Sequence, residues 1–170
     1  AATPRYDYNQ IMYRLNLDET HLTLPAAVYQ IRDKQGRVDY LLRDGVEKAK
    51  KWDSVKSIPF FAFEPKRAHG NLIPIYADKG NGIRLTPERH GRSAELLFYA
   101  LPSSKPEKEN PCIVELYEYR NDKTGQQIYS TKKAMEEKEW TRAKDPLCRV
   151  FKAPPGPLLL DRNAKPTTGP

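Results

Sequence analysis

Residues 117–129 read YEYRNDKTGQQIY, and residues 29–40 read YQIRDKQGRVDY with one residue fewer. In both stretches a Tyr precedes a polar turn that contains Gly, and a second Tyr, Tyr129 or Tyr40, follows the Gly. Short alternating apolar segments on either side of such a turn are typical of a β-hairpin. The two stretches therefore predict two copies of one hairpin.

The similarity continues beyond the hairpins. Each copy goes on to a charged stretch, a Trp (Trp52 or Trp140), an aromatic run and a Pro. A weaker middle copy has His69-Gly70 at its turn and no Trp. Recurrence at a fixed period is the signature of a repeat architecture. We predict three units at 27–65, 60–102 and 113–154, between an N-terminal extension (1–26) and a Pro-rich tail (155–170).

Three mostly β units of about forty residues are too few for a solenoid or a propeller. A closed three-fold barrel, the β-trefoil, buries the strand edges that three separate hairpins would expose. The fold class predicted is therefore all-β, a β-trefoil. One short helical turn is expected after each outer hairpin, over Asp44–Lys51 and Thr131–Lys138. Alternating Leu residues between positions 15 and 24 predict an added strand.

Length and composition agree with one folded domain. The chain has 170 residues, of which 15 are Pro, and 38% of them are hydrophobic, which argues against a helical bundle. An aromatic content of 10% argues against a charged disordered polymer. No uncharged apolar run approaches the roughly 18 residues that a membrane helix needs. We expect one domain with tails and no membrane span.

The third unit resembles a repeat domain of unknown function. The resemblance is carried by Tyr117–Thr131, Glu139-Trp140 and Phe151-Lys152-Ala153, which match the family's aromatic, Asn-x-x-Thr-Gly, Tyr-x-Thr, Trp and aromatic-x-Ala positions. The family's His falls on Gln127 here. The family is found in secreted proteins, often beside hydrolase domains. The resemblance implies a β-trefoil and a secreted, sugar-binding module, with no established reaction.

The ends and the cysteines bear on location. The first residues lack an initiator Met and a hydrophobic segment, so the chain is either a mature form that lost its signal segment or a trimmed form. The secreted location that we expect is implied by the family resemblance. Cys112 and Cys148 are the two cysteines, and they lack the CxxC spacing of a zinc site. A secreted location predicts one disulfide between them.

Sequence motifs offer little support for catalysis. There is no Gly-x-Ser-x-Gly, and no Ser stands in a recognisable nucleophile frame. The three His residues lack the spacing of a helical metal site. We expect no enzymatic activity, no metal and no cofactor.

Polar and aromatic residues of the outer units predict a carbohydrate site. Such sites usually combine an aromatic face with Asp, Asn or Gln side chains that bind sugar hydroxyls. The predicted ligand-binding residues are Asp33, Tyr40, Asn121, Asp122, Gln127 and Tyr129. The alternative is that Tyr40, Tyr129, Trp52 and Trp140 fill the barrel.

The net charge of +7 is concentrated in the middle of the chain. Such a cluster can bind an anionic polymer by releasing its counterions. The predicted anion-binding residues are Lys66, Arg67, Lys79, Arg84, Arg89 and Arg92. An anionic polysaccharide is the expected partner and a nucleic acid is less favoured, while the alternative is a solvated surface without a ligand.

A different class of function also fits a trefoil. In a protein-binding or protease-inhibiting trefoil, one exposed loop enters the cleft of a partner. The loop Ser103-Ser104-Lys105-Pro106 would supply Lys105 to an acidic pocket. A lectin-like module is the first hypothesis, and this protein partner is the second.

Overall fold

The computed structural model describes residues 25–67, 72–80, 82–103 and 112–152. These residues are mostly β, which confirms the all-β class. The strands are β1 (Ala26–Arg32), β2 (Val38–Leu41), β3 (Val55–Ala62), β4 (Ile73–Asp78), β5 (Arg84–Thr86), β6 (Ala94–Ala100), β7 (Ile113–Asn121), β8 (Gln127–Ser130), β9 (Trp140–Arg142) and β10 (Cys148–Phe151). One α-helix, α1 (Arg43–Ala49), and two 3-10 turns, Trp52–Ser54 and Pro65–Arg67, complete the described elements.

One pairing pattern recurs in three parts of the chain, and all of its pairs are antiparallel. The long strand β1 lies between its hairpin partner β2 and the closing strand β3. In the same way β4 lies between β5 and β6, and β7 lies between β8 and β10. The short strand β9 also pairs with β7. We call these three sets of strands the first, middle and third units.

The hairpin register places tyrosines at the same position of each unit. Tyr29 lies opposite Leu41. Tyr76 lies opposite Thr86, and Tyr117 lies opposite Ser130. The following residues of β1, β4 and β7 lie opposite Tyr40, Leu85 and Tyr129, respectively.

Each hairpin turn begins with an Asp or Asn and contains a Gly in the left-handed region. Asp33 Oδ1 accepts hydrogen bonds from the backbone N–H groups of residues 35 and 37. Asn121 Oδ1 does the same for residues 123 and 124, and Asp78 Oδ1 accepts the N–H of residue 80. The glycines with positive φ in these three turns are Gly36 (83°), Gly82 (109°) and Gly125 (74°). Only Gly adopts this conformation without a steric cost, so these residues fix the turns.

The closing strands of the three units meet one another at their ends. Each contact joins a residue near the end of one closing strand to a residue of the next. The three contacts are Phe61 with Phe151, Phe63 with Tyr99, and Leu101 with Arg149. The last two are antiparallel bridges with N···O distances of 2.9–3.0 Å. The closing strand of each unit therefore contacts the closing strands of the other two units.

The core lies between the units. Phe60 and Phe98 come from the closing strands of the first and middle units, and their rings pack edge to face at 5.6 Å. Tyr40 and Tyr129 pack in the same manner, also at 5.6 Å. Each of these four side chains is at most 1% exposed. Such an aromatic pair contributes about 0.5–1.5 kcal/mol beyond the area that it buries.

The predicted helical turns had different outcomes. Helix α1 confirms the turn predicted in the first unit, and its N-cap residue is Leu42. Residues 131–138 form bends and no helix. Their carbonyls are taken by distant side chains, because Tyr119 donates to the Lys132 carbonyl and Arg142 Nη1 donates to the Lys133 carbonyl at 2.7 Å. Tertiary contacts here outweigh helix propensity.

The prediction of a disulfide is wrong, because no disulfide joins Cys112 and Cys148. Cys148 lies opposite Leu116, whereas the Cys112 carbonyl accepts the N–H of Lys152 at 2.7 Å. Four residues of strand separate these positions, which is about 13 Å at ~3.3 Å per residue. A disulfide requires Cα atoms within about 7 Å.

The sequence prediction placed the turn of the middle unit at His69-Gly70. A hairpin turn between β4 and β5 follows Asp78, and residues 60–62 belong to β3, the closing strand of the first unit. Positions 68–71, the predicted strand between 15 and 24, and the Pro-rich tail lie outside the described residues. Within the described ranges, no helix is long and apolar enough to cross a membrane.

Candidate functional site

Two of the predicted sugar-binding residues are buried. Tyr40 is 0% exposed and Tyr129 is 1% exposed. The Tyr129 N–H donates to the Tyr40 hydroxyl at 2.8 Å, and the Leu85 N–H donates to the Tyr129 hydroxyl at 2.8 Å. Burial raises the pKa of both phenols. Their rings fill the space between the units, so neither ring is available to pack against a sugar.

Two further predicted residues form the hairpin turns. Asn121 is 7% exposed, and its Oδ1 is occupied by backbone donors. Asp33 also binds Arg37, whose Nε lies 2.7 Å from Asp33 Oδ2. Burial opposes ionisation of Asp33, but the hydrogen bonds from Arg37 outweigh it and keep the pKa below the usual value. Both side chains are engaged in their own turns.

The remaining two residues lie beside other strands of the third unit. Asp122 is exposed, and its Oδ1 accepts a hydrogen bond from the Thr141 hydroxyl at 2.8 Å. Gln127 Nε2 donates to Glu118 Oε1 at 3.1 Å. The six predicted residues therefore do not form one site.

Trp52 is the most exposed large apolar side chain of the described residues, at 46%. The alternative that this Trp fills the barrel is wrong for Trp52. Helix α1 ends at Ala49, and the left-handed conformation of its C-cap residue, Lys50, turns the chain into the 3-10 turn that carries Trp52. Tyr29 packs edge to face against the indole, with ring centroids 5.5 Å apart. The Tyr holds the indole in place and leaves much of it in contact with solvent.

An ion pair of α1 lies on the Tyr29 side of this aromatic pair. Arg43 Nε and Glu47 Oε1 form an ion pair at 3.0 Å on one side of α1. The hydrogen bond to Glu47 raises the pKa of Arg43, and the nearby Tyr29 hydroxyl contributes to the increase. We call Trp52, Tyr29, Arg43 and Glu47 the Trp52 platform.

The residues next to Trp52 in the sequence indicate that its side chain is exposed, although the repeat pattern does not. Trp52 is flanked by Lys50-Lys51 and by Asp53-Ser54. An apolar residue surrounded by polar ones on both sides is not part of a buried alternating strand. The equivalence of Trp52 with Trp140 in the repeat pattern favours a buried Trp instead.

The third unit has no equivalent platform among the described residues. The Arg142 guanidinium lies 4.5 Å from the centroid of the Tyr117 ring, and Tyr117 is only 7% exposed. Trp140 is half-buried against the core, and its Nε1 donates to Glu137 Oε2 at 2.9 Å. Tyr117 corresponds to Tyr29 of the first unit, but its ring faces the Arg142 guanidinium instead of an exposed indole.

A cleft lies where the three hairpin turns meet. It has a volume of about 480 Å³ and receives residues from every unit. Its lining residues are Gln35, Gly36, Arg37, Val38, Gly80, Gly82, Ile83, Thr124, Gly125, Gln126 and Gln127. A second cleft of about 260 Å³ shares five of these residues and adds, among others, Asp33, Asp39, Lys51 and Lys79. We call the two together the three-turn cleft, and it brings the predicted residues Asp33, Lys79 and Gln127 to one region.

The predicted anion-binding residues lie at several places on the middle of the chain. Lys66 lies in the 3-10 turn after β3, and Arg84 lies in β5. Arg89 and Arg92 lie in the exposed loop between β5 and β6. Lys79 Nζ lies 3.7 Å from Asp39 Oδ2. The side chain of Arg67, and residues 104–106 of the predicted inhibitor loop, lie outside the described part of the chain.

Comparison of the chain with protein-family models, with characterised proteins and with solved structures found no match.

Proposed function

We propose that the protein is a non-enzymatic, lectin-like module that binds carbohydrate, and that the Trp52 platform is its binding surface. The observation that carries this proposal is the exposed indole of Trp52, which packs edge to face against Tyr29. The ion pair of Arg43 and Glu47 lies on the Tyr29 side of this aromatic pair. A secreted location follows as a proposal from the same function and from the family resemblance.

The chemistry of the platform suits a sugar. The C–H groups of a pyranose ring pack against an aromatic face, and an indole offers the largest such face. Arg43 supplies donors and Glu47 supplies acceptors for the hydroxyl groups at the edge of the ring. One platform of this size is expected to bind a monosaccharide with millimolar affinity, about 4 kcal/mol.

We also infer that the three units form a closed three-fold barrel, a β-trefoil. Two sets of contacts support this. The closing strands contact one another in a cycle, first with middle, middle with third and third with first. Two tyrosine hydroxyls also join units in this way. The Tyr40 hydroxyl of the first unit accepts the Tyr129 N–H of the third unit, and the Tyr129 hydroxyl accepts the Leu85 N–H of the middle unit.

Tryptophan fluorescence tests the platform directly, because the chain has two Trp residues. In a Trp140→Phe variant the only indole is Trp52, and titration with neutral monosaccharides should change its emission. Trp52→Ala should abolish sugar binding measured by calorimetry. Ile58→Ala removes another exposed apolar side chain, which is 43% exposed, and should leave binding unchanged. Absence of binding to any neutral sugar at tens of millimolar would contradict the proposal.

A second candidate function is binding of an anionic polymer. Arg84, Arg89 and Arg92 are exposed, and within the described residues they form no ion pair. Unpaired guanidinium groups release counterions when they bind a polyanion. Reversal of Arg84 and Arg89 to Glu should reduce retention on heparin more than reversal of Lys48 and Lys56. Equal reductions would indicate a general effect of charge.

A further inference from the structure

We propose that the three-turn cleft is a second binding site, separate from the Trp52 platform, and that its ligand is an acidic sugar with one negative charge. The argument rests on how the cleft is built, on its charge and on the distribution of its polar groups.

The cleft is held open by the geometry of the turns. Gln126 Nε2 of the third unit donates to the Gly36 carbonyl of the first unit at 3.2 Å, which joins two of the turns. A Cβ atom added at Gly36 or Gly82 would have no heavy atom within 4 Å, so backbone borders open space there. A volume of about 480 Å³ lies within the range of small-molecule sites, roughly 300–1,000 Å³. The space therefore suits an organic molecule rather than a single ion.

The charged side chains at one end of the cleft have a net charge of one positive unit. The lining cations are Arg37, Lys51 and Lys79, and the lining carboxylates are Asp33 and Asp39. Asp33 is engaged by Arg37 at 2.7 Å. Asp39 accepts the N–H of Tyr40 at 2.8 Å and lies 3.7 Å from Lys79. Lys51 forms no ion pair with a described residue, so three cations and two carboxylates leave a single charge for a ligand to neutralise.

The other end of the cleft is polar without being charged. On the side of the third unit the described lining residues are Thr124, Gly125, Gln126 and Gln127. Amide and hydroxyl groups can both donate and accept, which matches the needs of sugar hydroxyls. A ligand with a carboxylate at one end and several hydroxyls at the other fits both ends, and a hexuronate is such a molecule.

Calorimetric titration of the Trp52→Ala variant, which lacks the platform, with D-glucuronate, D-glucose and sodium sulfate tests the inference. D-glucuronate should bind, and both other probes should bind at least about tenfold more weakly. Equal binding of D-glucose would overturn the role of the charge. Equal binding of sulfate would overturn the role of the hydroxyls, and no binding of D-glucuronate at tens of millimolar would overturn the site.

Matched variants locate the binding. The double variant Lys51→Ala and Lys79→Ala should weaken binding of D-glucuronate roughly tenfold or more. Lys48→Ala with Lys56→Ala removes the same charge from exposed positions outside the cleft and should have little effect. Trp52→Ala should leave D-glucuronate binding intact. Loss of binding in Trp52→Ala would place the ligand on the platform and overturn this inference, whereas failure of the platform alone would leave it standing.

Discussion

The hydroxyl of Tyr129 lies at a junction of two units, and its environment makes stability depend on pH. Burial raises the pKa of both Tyr129 and Tyr40, and the charge of Glu118 adds to the increase for Tyr129. The unfolded chain therefore releases these protons first as the pH rises, near pH 10. The stabilisation that comes from keeping these two phenols protonated is fully present below about pH 10 and is lost as the pH rises above it.

The first prediction follows from this sign. Above about pH 10 the free energy of unfolding should decrease by up to ~1.4 kcal/mol per pH unit for each buried phenol. Tyr129→Phe should remove one such contribution, so urea denaturation between pH 9 and 11 should show a shallower slope for the variant. Lysines titrate in the same range, but they are common to both proteins. An unchanged slope would mean that the phenol is not buried in solution.

Tyr129→Phe should also destabilise the protein at pH 7. Loss of the hydroxyl leaves the buried N–H of Leu85 without its acceptor at 2.8 Å. A buried donor left without a partner costs about 1–3 kcal/mol. The same denaturation series measures this cost at its neutral end.

The second prediction concerns Cys148. This thiol is fully buried, and burial raises its pKa, so the reactive thiolate is disfavoured. Unreduced, denatured protein should label at two thiols per chain. In native protein Cys148 should react only as fast as the structure opens, and addition of urea below the transition should accelerate it. A single disulfide in mass spectrometry would contradict both expectations.

At the residue scale, the sequence pattern predicted which residues of the repeats occupy matching positions, but it did not predict which of their side chains are buried. The spacing identified Tyr40 with Tyr129, and both occupy the same register position. The pattern could not decide which aromatic residues are buried, because Tyr and Trp have both an apolar ring and a polar group. Trp52 lies outside the core because the chain leaves α1 in a left-handed turn at Lys50, a tertiary detail that spacing does not contain.

At the scale of elements, the hairpin turns explain the polar residues that resembled a sugar site. The third prediction compares two neighbours in one turn. Asn121→Ala removes a buried acceptor of two backbone N–H groups and should destabilise the protein by about 1–3 kcal/mol. Asp122→Ala, at an exposed position, should cost less than about 1 kcal/mol. Thermal denaturation of both variants measures the difference, and equal costs would contradict the assigned roles.

Strands and turns were accessible from the sequence because they depend on local chemistry. The hairpins around residues 33–37 and 121–126 were predicted from turn residues between alternating apolar ones. The absence of a helix at residues 131–138 was not accessible, since the side chains that occupy its carbonyls come from Tyr119 and Arg142. The hairpin between β4 and β5 was not recognised as a copy of the other two, because no Tyr closely follows its Gly residues, Gly80 and Gly82.

At the scale of the whole molecule, the cycle of hydroxyl contacts is interrupted at one position. Leu85 occupies the register position of Tyr40 and Tyr129, and it has no hydroxyl to offer the backbone of Tyr40. The Tyr40 N–H instead donates to Asp39 Oδ1 at 2.8 Å. The carboxylate of Asp39 thus replaces the missing third hydroxyl.

The fourth prediction is that Leu85→Tyr completes the cycle. In the original protein Asp39→Ala should destabilise by about 1 kcal/mol, because the Tyr40 N–H loses its acceptor. In the Leu85→Tyr background Asp39→Ala should cost less, and a double-mutant cycle measures the difference. Leu85→Phe is the matched control for the added ring, and it should not reduce the cost. Strictly additive effects in the Leu85→Tyr background would contradict the three-fold arrangement.

The contact between Phe61 and Phe151 has a consequence for the order of folding. The Tyr40 hydroxyl and the Tyr129 backbone, which belong to the same pair of units, are 89 residues apart in sequence. A chain emerging from the ribosome can form its first two hairpins early, but it cannot join the first and third units until β10 has been made. Until then, Phe60 and Phe98 lack the part of their core cluster that the third unit supplies. Because contacts between distant parts of a chain form slowly, the joining of the first and third units is expected to be the late step. A chain that ends before β10 should therefore expose aromatic surface and aggregate.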